Sequence, residues 1–107
     1  MKSLLKTIMW ITVFFTSLTA SAQRIDIKQQ TVAVVGTHEG DMGYLALAGA
    51  IHANCNWGAI YFDISTTLGK TYLSTLYIAK TTKQKIQLVY DVPAAAGQCK
   101  VAMIGLQ

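Results

Sequence analysis

"WGAIYFDISTTLGKTYLSTLYIAK", residues 57–80, contains a change of period that decides the fold. In its first half Ile60, Phe62 and Ile64 alternate with Trp57, Ala59, Tyr61 and Asp63, the period of two that belongs to a strand with one buried face. From Thr66 to about Lys80 the period lengthens. Leu68, Tyr72, Leu76 and Ala79, with Leu73 at the margin, fall on one arc at helical spacing, and Ser65 or Thr66 can cap the start. A strand therefore runs almost directly into a helix.

Upstream, "YLALAGAI" (44–51) sets Leu45, Leu47 and Ile51 against Ala46, Ala48 and Ala50, which predicts a strand. Before it, "TVAVVGTH" (31–38) is rich in β-branched residues and ends in the turn-forming cluster "GTHEGDMG", so strand and turn are predicted there too. The polar "QRIDIKQQ" ahead of these reads as a lead-in. Three strands joined by short connections make an antiparallel meander. Downstream of the helix, Ile86, Leu88 and Tyr90 alternate with Lys85, Gln87 and Asp91. The loop "VPAAAGQ" holds Pro93, the sole proline, and "CKVAMIGL" supplies a last strand with Val101 and Met103 facing one way and Ala102 and Ile104 the other. The expected fold is mainly β with one α-helix, in the order β-β-β-α-β-β. That is the element order of the OB-fold, a five-stranded Greek-key barrel.

The N-terminal "MKSLLKTIMWITVFFTSLTASAQ" joins Lys2 and Lys6 to an apolar run from Ile8 to Phe15 and then to Ala20-Ser21-Ala22, the small-x-small pattern that signal peptidase cuts. It reads as a secretory signal peptide over residues 1–22, with one binding domain over 23–107. The run is shorter than the roughly 20 apolar residues of a membrane span, so no span is expected after cleavage. Export points to a periplasmic or secreted bacterial protein. It also places Cys55 and Cys99 where an even count reads as a disulfide. Closing a loop of about 45 residues stabilises by roughly 4 kcal/mol on the chain-entropy argument.

Of nine basic residues two lie in the leader, leaving seven against five acids, a net of +2 that is too mild for nucleic-acid binding. Lys80, Lys83 and Lys85 cluster where the helix ends, a place where cations meet the helix dipole favourably. No Gly-x-Ser-x-Gly, His-Glu-x-x-His or paired-carboxylate pattern occurs, and His38 and His52 have no zinc-type spacing to either cysteine. Neither an enzyme nor a metal or cofactor site is therefore expected.

The stretch "CNWGAIYFDISTTLGKTYLSTLYIAKTTKQKIQLVYD", followed by "GQCKVAMIGL", resembles the pentameric binding (B) subunits of AB5 toxins of the subtilase-cytotoxin and pertussis-like type. The resemblance runs from Cys55 to Leu106 and consists of a Cys, a Trp-Gly-Ala, a helix of similar length, a basic turn and two closing strands. It implies the same barrel, a homopentamer with helices around a central channel, glycan binding on the outer faces, and a toxin A subunit as partner. No sialic-acid-binding motif of that family matches near the first strand, so it supplies no site residues.

The residues themselves suggest where a ligand would sit. Sugars are recognised by an aromatic face plus a few fixed polar groups. His38, Glu39 and Asp41 in the polar loop, with Tyr44, Trp57 and Tyr61 as aromatic surfaces, form the candidate set. A tryptophan this close to a disulfide also reads as a core plug. Tyr77 and Ile78 lie off the main apolar arc of the helix beside Lys70, Thr71 and Ser74, which makes these five the candidate oligomer interface. The function expected is a secreted, non-catalytic module that binds a cell-surface glycan or a partner protein as a homo-oligomer. The alternative is a small periplasmic OB-fold or inhibitor-like envelope protein with no toxin role.

Overall fold

The computed structural model describes residues 22–107. The signal peptide expected over residues 1–22 lies outside them but for Ala22. Six strands and a helix follow: β1 (Gln23–Gln30), β2 (Val32–His38), β3 (Met42–Leu47), β4 (Cys55–Asp63), α1 (Thr67–Thr82), β5 (Ile86–Val92) and β6 (Gly97–Leu106). They form one sheet in the order β1-β5-β6-β4-β3-β2. The meander β2-β3-β4 is antiparallel, as the sequence indicates. β4 and β6 pair in parallel, because α1 and β5 carry the chain back before β6 begins.

The sheet has six strands where five are expected. The additional one is β1, the segment that reads as a polar lead-in. Only Ile25 and Ile27 of its residues lean on the core, facing Tyr90 and Leu88 of β5, while Arg24, Asp26 and Lys28 are exposed. A strand at the rim of a sheet has little apolar signal to show. Its pairing slips between Ile27 and Gln30, where Gln29 adopts φ 55° and donates its N–H to Gln107 Oε1 at 2.7 Å. Thr31 alone then separates β1 from β2, so the strands at the two rims of the sheet are consecutive in the chain.

β3 ends at Leu47, four residues before the end of the expected strand. Ala48 donates its N–H to Thr31 O at 2.9 Å and the chain bends away, although Ile51 still packs against the core. Alanines pack poorly on a pleated surface and hold little strand preference of their own.

The core gathers Leu45, Leu47, Ile60, Phe62, Leu76, Ile86, Leu88, Tyr90 and Val92 around the Cys55–Cys99 disulfide, whose Cα atoms are 5.1 Å apart. Each large apolar side chain buried there contributes about 1.5–3 kcal/mol. β5 alternates buried and half-buried residues along its whole length, so the period of two holds throughout.

Thr66 caps α1: its Oγ1 accepts the Gly69 N–H at 3.0 Å. Lys83 ends the helix in the left-handed region, with its N–H on Ala79 O. The arc turned inward is Gly69, Tyr72, Leu73, Leu76 and Ala79. Leu68, expected on that arc, is 60% exposed instead. The helix start abuts the end of β4 so closely that a Cβ on Gly69 would lie 1.6 Å from Asp63 O, so it is Gly69 that faces inward at this turn while Leu68 is turned to solvent. Among the described residues no helix is long and apolar enough to cross a membrane.

Candidate functional site

The pairing of β4 with β6 contains a large irregularity. Cys55 is opposite Gly97, yet Ile60 is opposite Cys99, so four residues of β4 span the space of one residue of β6. The surplus chain, Asn56–Ala59, is extruded as a bulge. Trp57 and Gly58 at its crest have φ 65° and φ 61°. Glycine takes this conformation freely, but a bulky side chain held there stores on the order of 1–3 kcal/mol.

The chain entering the bulge is fastened. Cys55 is tied to Cys99 by the disulfide, and the loop ahead of it is organised by His52. The His52 Nδ1 accepts the Asn54 N–H at 3.0 Å, and the His52 N–H bonds the Tyr90 hydroxyl at 3.2 Å. Asn54 in turn donates from Nδ2 to Pro93 O at 3.0 Å and accepts the Gly97 N–H at 2.9 Å. A rigid base thus carries a strained crest.

Trp57 is 89% exposed and is no core plug. Its indole borders an open recess of about 450 Å³ on the outer side of the sheet, together with His38, Met42, Tyr61 and Gln98. His38 and Met42 come from either end of the β2–β3 turn and are opposite each other in register; Tyr61 is on β4 and Gln98 on β6. Four elements therefore meet at this recess. The Tyr61 ring is tilted against Tyr44, with centroids 6.4 Å apart, which limits its rotation.

Three of the six candidate ligand residues, His38, Trp57 and Tyr61, come together in this recess, and Tyr44 supports one of them. Glu39 and Asp41 are exposed in the turn beside it without lining it. Asp41 has φ 57° and its carbonyl accepts the Ile64 N–H at 3.0 Å, which fits a turn-forming role. Met42 and Gln98 are additions that spacing alone does not reveal, since they arrive from different strands.

Tyr61 also walls a second depression of about 290 Å³, between β4, β6 and the start of α1. Thr66, Leu68, Tyr72 and Lys100 are among its lining residues. Tyr72 meets Phe62 edge-on at 6.1 Å and donates its hydroxyl to Ala102 O at 3.0 Å, which fixes the floor. At its rim the Ser65 hydroxyl and backbone N–H donate to Asp63 Oδ1 at 2.6 and 2.8 Å, holding that carboxyl below the ordinary range.

The five candidate interface residues, Lys70, Thr71, Ser74, Tyr77 and Ile78, are all exposed on α1. Thr71 and Ser74 return their hydroxyls to the helix carbonyls of Thr67 and Lys70, leaving Tyr77 and Ile78 as the apolar part of that face. In the basic cluster, Lys80 donates to Ala33 O at 2.9 Å, Lys85 to the Thr31 hydroxyl, and Lys83 terminates the helix. These contacts tie the helix end to the β1–β2 junction. Comparison with protein-family models, curated proteins and solved structures finds no match.

Proposed function

We propose that this chain is an exported, non-catalytic binding module that takes a cell-surface sugar in the recess beside Trp57. The observation that carries the reading is the indole, 89% exposed on a bulge whose backbone is strained and whose base is covalently fixed. Strained backbone concentrates at active sites and ligand clamps. An indole offers a flat apolar plate to the C–H face of a pyranose, while His38, Tyr61 and Gln98 present hydrogen-bonding groups to its hydroxyls.

The fold reading that goes with this is an OB-type barrel. In support, only Thr31 separates β1 from β2, so the two can be counted as one long strand bent at Gln29–Thr31 that pairs with β5 through its first half and with β3 through its second. Counted so, the chain has five strands with the helix between the third and fourth. The resemblance to AB5 binding subunits extends the proposal to a homopentamer that uses Tyr77 and Ile78 on α1 and accepts a toxin A subunit.

A glycan array probed with the oxidised protein tests the sugar reading directly. The expected result is selective binding that Trp57→Ala abolishes while the melting temperature is kept. Binding to no printed glycan would overturn it. Light scattering on the same sample tests the assembly: a mass near five times the monomer supports the ring, and a clean monomer favours the envelope-protein alternative.

A further inference from the structure

The recess and the second depression have one lining residue in common, Tyr61, so they adjoin there, with Trp57 on one side and Lys100 on the other. We propose that these are two subsites of one cleft: the ligand is an oligosaccharide whose uncharged end unit lies on Trp57 and whose next unit occupies the groove between β6 and the start of α1. The proposal rests on the sugar reading given above.

Chemistry separates the two subsites. The recess is lined by His38, Met42, Trp57, Tyr61 and Gln98, a set with thioether, amide, hydroxyl and ring surfaces but no Lys or Arg to neutralise an acidic sugar. The groove differs. Lys100 stands directly beside Tyr61 across the parallel pair, and its neighbour on β5, Asp91, is already held by Arg24 through two bonds of 2.7 and 3.1 Å. Arg24–Asp91 is the sole ion pair among the described residues, so the Lys100 ammonium has no carboxylate partner. Leu68 adds apolar surface that the helix does not use internally, and Thr66 is occupied by the cap. A second sugar unit would cover Leu68 and receive hydrogen bonds from Lys100, whose ammonium has three donors.

The two depressions also explain why Tyr61 is held. A partition between subsites must keep its orientation, and the tilted contact with Tyr44 provides that.

The test is titration calorimetry on the oxidised wild-type protein with two probes taken from the strongest array hit: its terminal unit as the methyl monosaccharide, and the trisaccharide ending in that unit. The trisaccharide should bind at least about tenfold tighter, a difference of about 1.4 kcal/mol. Leu68→Trp, placed at an exposed position, fills the groove and should bring the trisaccharide down to the affinity of the monosaccharide while leaving the latter unchanged. Should that variant misfold, Lys100→Ala substitutes for it and should weaken the trisaccharide alone. Equal binding of both probes by the wild type, or equal weakening of both by the groove variant, would overturn the two-subsite proposal while leaving Trp57 binding intact. Binding of neither probe, and of nothing on the array, would overturn the underlying reading instead.

Discussion

Two single residues carry opposite kinds of strain. At Gly69 a methyl group would collide with Asp63 O, a backbone atom that cannot swing aside. Gly69→Ala is therefore expected to destabilise by about 3 kcal/mol, the upper end of overpacking costs, despite alanine's better helix propensity. Chemical denaturation of the variant checks this, and a neutral or stabilising result would show that the helix start does not dock as described. At Trp57 the relation is reversed, because the side chain gives up little on removal and the backbone gains. Trp57→Gly should stabilise by about 1 kcal/mol, relief of the left-handed conformation outweighing the extra entropy of the unfolded chain. The same variant should lose all sugar binding. Stability rising while function disappears would mark the bulge as strain maintained for a ligand; a loss of stability would show that the crest is held by contacts of the indole itself.

Among the elements, β1 depends most on polar contacts for its attachment. It sits at the rim, and Arg24 clasps Asp91 across the β1–β5 pair. The Arg24 hydrogen bonds lower the Asp91 pKa, as Ser65 does for Asp63 at the start of α1. For groups depressed in this way the stabilisation is complete above the unfolded value of about 3.9 and is lost as pH falls through the lower folded value. The melting temperature should thus be level from neutral pH into the weakly acidic range and fall below about pH 4. Asp91→Asn should flatten part of that fall and speed amide exchange at Ile25 and Ile27; unchanged exchange there would mean that β1 is held by its ladder alone. The same strand shows where sequence reading stops. Ile86, Leu88 and Tyr90 announce β5 because every second residue is buried, and the helix announces itself by Tyr72, Leu76 and Ala79. β1 has two isoleucines among polar neighbours, too few for a period to register. The recess is harder still. His38, Trp57 and Tyr61 could be nominated as residue types, but that Trp57 points outward depends on the register of β4 against β6, a pairing between residues some forty positions apart in the chain.

At the scale of the whole molecule, one covalent bond serves both the fold and the site. The disulfide joins β4 to β6 at the parallel pair and spans 44 residues, enclosing α1 and β5 within its loop. On the chain-entropy argument a loop of that length contributes roughly 4 kcal/mol, a large share of the about 5–15 kcal/mol that holds a typical domain. It also anchors the residue immediately ahead of the bulge, since Asn56 and Trp57 follow Cys55 directly. Reduction should therefore act twice. The Cys55→Ser/Cys99→Ser variant should melt on the order of 15–30 °C lower, as roughly 4 kcal/mol implies for a domain of this size. At a temperature where the variant is still folded, it should bind the array hit more weakly than the oxidised wild type, because freeing one end of the bulge lets the Trp57 backbone relax out of its left-handed conformation. Amide exchange at Trp57 and Gly58 reports that relaxation separately from global unfolding. If sugar affinity and exchange at the bulge both match the wild type while only the melting temperature falls, the bond is a staple for the core and the strained crest is maintained by the His52 and Asn54 contacts instead.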